Sequence, residues 1–144
     1  MPTVPSLTDA TSIDGSETTY LAQGGADREG SIGLIIGTSP VNSQSDAYTL
    51  VLTDRGKTIL HPSADTTARV FTIPANASVA FGVGTCITIV NQNGAGVITI
   101  AITSDTLRWA PAGTAGSRTL AANGIATLIK LTSTEWIISG VGLT

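Results

Sequence analysis

Cysteine is almost absent. Cys86 stands alone in 144 residues, which excludes an internal disulfide and the four-ligand cysteine clusters of structural zinc sites. Its setting, Cys86-Ile87-Thr88-Ile89-Val90, reads as a buried strand thiol. Charge is scarce too. Asp, Glu, Lys and Arg make up 12% of the chain, about half the usual share. So little charge implies either that a partner covers part of the surface or that Thr, Ser and Asn keep it soluble. No apolar run approaches the roughly 20 residues that span a bilayer. Met1-Pro2-Thr3-Val4-Pro5 has neither the basic flank nor the apolar core of a secretion signal, so the expectation is a soluble protein without one and without a membrane partner. The seven basic residues are scattered through a chain of net charge −3, which argues against nucleic-acid binding.

The charge that is present is unevenly placed. Residues 1–30 hold Asp9, Asp14, Glu17, Asp27 and Glu29 against Arg28, a net −4, whereas residues 31–144 hold five acids and six bases, a net +1. Val4, Leu7, Ile13, Tyr20 and Leu21 are too widely spaced to form one face of a helix or a core. Residues 1–30 therefore read as an extended N-terminal arm that orders on binding, and 31–144 as the folded domain.

From Ser31 onward, short β-branched runs alternate with Gly, Asn, Pro and Ser, the pattern of strands and tight turns. Strands are expected at 32–36, 47–53, 57–61, 68–73, 77–81, 86–91, 97–102, 107–109, 118–120, 124–131 and 135–140. Ile98, Ile100 and Ile102 share one face; Trp136 and Ile138 oppose Glu135, Ile137 and Ser139. Asn91-Gln92-Asn93-Gly94-Ala95-Gly96 predicts a hairpin pairing 86–91 with 97–102, and Thr132-Ser133-Thr134 a hairpin between the last two strands. The fold class is all-β: an antiparallel, jelly-roll-like β-sandwich, or a small barrel.

Catalytic constellations lack parts. His61 is the only histidine, so the common zinc and Ser-His arrangements are incomplete, and at a strand end it reads as a surface or packing residue. Gly56-Lys57-Thr58 resembles the end of a phosphate-binding loop, but Val51 stands where that loop needs glycine, so Thr53-Asp54-Arg55-Gly56 is read as a turn. Gly82-Val83-Gly84 and Gly94-Ala95-Gly96 complete no dinucleotide fingerprint, and Asp14-Gly15 lacks the further oxygen ligands of a calcium loop. Neither an enzyme, a cofactor nor a metal site is expected. Trp109 in Asp105-Thr106-Leu107-Arg108-Trp109 reads as a packing residue; the alternative is a glycan platform with Asp105 and Arg108 bonding sugar hydroxyls.

Two parts of the chain resemble a known group of proteins. Leu7 to Glu17, running on to Leu21-Ala22-Gln23-Gly24-Gly25-Ala26-Asp27-Arg28, is similar to N-terminal segments of tailed-bacteriophage fibre and decoration proteins. Phe71-Thr72-Ile73-Pro74, Gly84 to Asn91, Arg118-Thr119-Leu120 and Glu135 to Gly140 resemble the small β-domains that end many phage fibres. The resemblance implies a virion structural protein on the capsid surface, a homotrimer whose arm contacts the major capsid protein. The expected arm contacts are Leu7, Asp9, Ile13, Asp14, Glu17, Tyr20, Leu21 and Gln23, with Ile13, Tyr20 and Leu21 as apolar anchors. One arm and one domain, with no long shaft, favours a capsid decoration (cement) protein; the alternative is a fibre tip that binds a host receptor or glycan.

Overall fold

The computed structural model describes Thr18–Gln23, Ala26–Ser31 and residues 39–144. The chain divides into two units, Met1–Ser39 and Pro40–Thr144. In the first, β1 (Thr18–Gln23) and β2 (Ala26–Ser31) form an antiparallel ladder from Thr18 opposite Ser31 to Gln23 opposite Ala26. A Gly-Gly pair between two such runs is a hairpin signal that an extended-arm reading passes over. The strand expected at 32–36 lies outside the described residues.

The second unit is all-β, and none of its described residues is α-helical. Its strands are β3 (Val41–Ser43), β4 (Tyr48–Thr49), β5 (Thr58–His61), β6 (Arg69–Ile73), β7 (Cys86–Asn91), β8 (Ile98–Ile102), β9 (Thr106–Trp109), β10 (Arg118–Lys130) and β11 (Glu135–Leu143). All nine belong to one connected sheet, curled into a half-barrel.

Successive passes of the chain stack in parallel. β3, β5 and β7 form one stack, with Thr58 beside both Val41 and Thr88. β4, β6 and β8 form the other, with Phe71 beside Tyr48 and Ile100. The segments 44–47, 62–68 and 92–97 are the corners where each pass turns from the first stack to the second. The thirteen-residue β10 runs antiparallel past both stacks, pairing Arg118–Leu120 with β8 and Gly124–Ile129 with β7. Its other edge pairs antiparallel with β11, which in turn pairs parallel with β9.

This arrangement corrects three expectations. The sheet is not the antiparallel one expected, because five of its eight strand pairings are parallel. β7 and β8 do not form a hairpin: both run antiparallel to β10, end to end along one of its edges, and 92–97 is a corner. An Asn-Gly turn can reverse a chain or bend it, and the tight packing of stacked corners decides for bending here. A Cβ on Gly96 would overlap the Thr67 carbonyl of the corner beside it. Residues 77–81 are turn rather than strand, closed by Ser78 N–H and Val79 N–H donating to the Ala75 carbonyl. The hairpin through 132–134 is present, and the runs at 118–120 and 124–131 join into one strand. A bulge lies between Leu120 and Ile125, where Asn123 adopts φ 61°, a left-handed conformation that Asn tolerates better than most residues.

Alternation along the strands puts one side inward everywhere. Ile59, Ile87, Ile89, Leu128, Trp136 and Ile138 from the first stack and its neighbours meet Phe71, Ile73, Ile98, Ile100, Leu107 and Leu120 in a single core. Leu50 and Phe81, from the connections, enter the same cluster, with Phe81 edge-on to Trp136 at 5.4 Å. Burying a large apolar side chain is worth about 1.5–3 kcal/mol, so this core is the main source of stability.

Candidate functional site

The outward positions of the first stack follow from register. Thr58 and Leu60 of β5 lie beside Thr88 and Val90 of β7, and these beside Thr127 and Ile125 of β10. Ser139 and Val141 of β11 complete the two rows. A third row holds Cys86, Ile129 and Ile137. The result is a panel with a hydroxyl row (Thr58, Thr88, Thr127, Ser139) flanked by apolar rows (Leu60, Val90, Ile125, Val141 and Cys86, Ile129, Ile137). No formal charge stands among these residues, and Arg108 on β9 lies beside Ile137 at the end of the third row. Glu135, the carboxylate at its rim, is held by Arg108 Nε at 2.6 Å. Ile125 is 47% and Val141 73% exposed. Cys86 is exposed as well, because Ile87 and Ile89 take the inward positions, which overturns its reading as a buried thiol.

Where the panel ends at the corners, an open groove of about 520 Å³ is lined by Ser63, Gln92, Asn93 and Asn123, with Val90 and Ile125 along one side. Ser63 N–H donates to Gln92 Oε1 at 2.8 Å, which fixes the Gln92 amide.

Behind the groove the corner is polar and buried. His61 is fully buried, with Nδ1 3.0 Å from Asn91 Oδ1 and Nε2 3.0 Å from Asp65 Oδ2. Asn91 Nδ2 donates to the Gly96 and Leu120 carbonyls, so Oδ1 is the atom that faces the ring. Arg69 binds Asp65 through Nε at 2.7 Å and reaches Asp46 at 3.2 Å. The Arg69 hydrogen bond, helped by those from His61 and the Thr67 N–H, outweighs burial and holds the Asp65 carboxyl well below the usual carboxylate range. These groups bond one another and tie adjacent corners together. Asp54 does the same at β3: it accepts from Val51 N–H, Asn42 Nδ2 and Tyr48 Oη, and burial followed by this hydrogen bond raises the Tyr48 phenol.

Asp105, Arg108 and Trp109 do not converge on a common opening. The Asp105 side chain is buried, 3.5 Å from Lys130 Nζ, and accepts from Asn76 N–H. Arg108 holds Glu135 and donates to the Gly113 carbonyl. Trp109 is half-buried against the core, with the Arg118 guanidinium 5.4 Å from its ring centre. Of the expected arm contacts, Leu7, Asp9, Ile13, Asp14 and Glu17 lie outside the described residues. Tyr20, Leu21 and Gln23 fall on β1, opposite Glu29, Arg28 and Ala26. Among the described residues no three His, Cys, Asp or Glu side chains are grouped to hold a metal ion.

Sequence reasoning missed the panel because it names the outward side of each strand but not which strands lie side by side. The alternation in Thr88-Ile89-Val90 and Ile125-Ala126-Thr127 was the available signal. The chain matches no family model, no curated protein and no solved structure.

Proposed function

We propose that this protein is a non-enzymatic structural component of a virus particle, a capsid decoration protein. On the particle its β-unit would assemble into a homotrimer, as the resemblance implies, and its N-terminal segment would bind the major capsid protein. The observation that carries this reading is the charge-free panel. On a monomeric protein the largest exposed apolar patch, typically about 300–600 Å², is often a functional contact surface. The resemblance of residues 7–28 to phage N-terminal segments supplies the kind of particle.

Residues 1–30 are the proposed capsid-binding part, with Ile13, Tyr20 and Leu21 as anchors and Leu7, Asp9, Asp14, Glu17 and Gln23 as further contacts. Ordering such a segment costs roughly 1–2 kcal/mol per residue, so strand pairing and apolar anchoring on the shell must offset it. Joining several arms in one oligomer raises avidity on the order of 100-fold or more. Deletion of residues 1–25 is therefore expected to leave a folded β-unit, by circular dichroism and thermal melting, that no longer co-sediments with capsid shells. Full-level binding of the truncated protein would overturn the reading.

A second reading, a fibre tip that binds a glycan, is favoured by the groove. Gln92, Asn93 and Asn123 offer amide donors and acceptors that suit sugar hydroxyls, beside the apolar Val90 and Ile125. The two readings differ in where on the particle the protein sits.

A further inference from the structure

We propose that the outward panel of β5, β7, β10 and β11 is the seat of a second copy of this chain, packed panel against panel. This two-fold contact is separate from the three-fold contact of the proposed trimer, and it stands whether or not the particle is a virion.

Charge complementarity selects the occupant. A partner that brought an ammonium or carboxylate onto this panel would strip it of water with nothing to pair it, at a cost of several kcal/mol. The rim carboxylate Glu135 is already taken by Arg108. The occupant must therefore be an uncharged surface of Thr, Val and Ile, and the same panel of another copy meets that condition.

The row pattern is also self-complementary. A two-fold axis lying along the hydroxyl row sets Thr58, Thr88, Thr127 and Ser139 against the same residues of the second copy, so that hydroxyls bond hydroxyls. It sets the row of Leu60, Val90, Ile125 and Val141 against the row of Cys86, Ile129 and Ile137. Both apolar rows are covered by one operation, as an isologous contact requires. Two sheets packed in this way lie about 10 Å apart, the spacing of aligned sheets.

Size sets the strength. Strands about 4.8 Å apart, with outward side chains every ~6.8 Å along each, give four strands and three rows an area of at most roughly 400 Å². That is about half of what a standard interface buries on each partner, so the free chain should associate only in the micromolar-to-millimolar range. On a particle, tethering raises the local concentration and closes the contact.

Cys86 is the reporter, because it is the only cysteine and lies in an apolar row. The test is sedimentation velocity of the full-length chain from about 5 μM to 1 mM, with the rate of Cys86 alkylation by a maleimide measured at each concentration. Self-association is expected across this range, with alkylation slowing about 10-fold at the top. Thr88→Lys, which puts a charge in the hydroxyl row, is expected to remain monomeric, keep its thermal melt and react at one fast rate throughout. Ile125→Asp serves as the second disrupting variant should Thr88→Lys not fold.

A wild-type chain still monomeric at 1 mM would overturn the proposal. So would association that leaves Cys86 reactivity unchanged, since another surface would then be responsible. Protection of Cys86 only on adding capsid shells, with the free chain monomeric, would give the panel to the capsid protein and overturn it likewise. Deleting residues 1–25 tests capsid binding separately, and loss of that binding leaves these outcomes unaltered.

Discussion

Lys130 is the residue whose burial is hardest to reconcile with its chemistry. It takes an inward position on β10 between outward Ile129 and Leu131, and its ammonium lies 4.8 Å from the centre of the Trp136 ring and 3.5 Å from Asp105 Oδ2. A buried pair of this kind is weak evidence for stability as a whole, but removing one member leaves the other uncompensated. Lys130→Met is therefore expected to cost about 3–5 kcal/mol in urea unfolding. Lys130→Met combined with Asp105→Asn, which keeps an oxygen for the Asn76 N–H, should recover most of that loss. Equal losses in the single and double variants would show that the ion pair is not what matters at this end of the core. Alternation alone places residue 130 inward with Leu128. That a lysine there is tolerated depends on Asp105, 25 positions away, which the local pattern does not show.

Elements were legible where the signal was local. The alternation in Ile98-Thr99-Ile100 and in Glu135 to Ser139 identified the buried sides, and Thr132-Ser133-Thr134 identified the final hairpin. The parallel stacking was not legible, because Thr58 and Thr88, or Phe71 and Ile100, become neighbours only after a whole pass of the chain. The same Gly and Asn punctuation serves hairpins and stacked corners. The corners are held by the network centred on Asp65, and this predicts an acid dependence. The Asp65 pKa is depressed in the folded protein relative to about 3.9 when unfolded. Its contribution is thus fully present above about pH 5 and is lost as the pH falls below 3.9 toward the native pKa. Urea midpoints measured from pH 6 to 2.5 should fall more steeply for the native chain than for Asp65→Asn. Parallel curves would remove Asp65 as the clasp of the corner.

At the scale of the molecule, two features visible in the sequence bear on assembly. The scarcity of charge becomes a defined uncharged panel on the outside of one stack. The change in composition near residue 30 falls at the end of β2, inside the unit Met1–Ser39. Both features suit a protein that is covered when it works. On the reading proposed here, the β-unit contacts further copies through its panel while the N-terminal segment grips a shell. Density mapping of purified particles carrying the protein tests this most directly. The protein is expected over the joints between capsid subunits, with Thr88 and Ile125 covered and residues 1–25 traced onto the shell. Density at a fibre tip, with the panel open to solvent and the N-terminal segment away from the capsid, would contradict it.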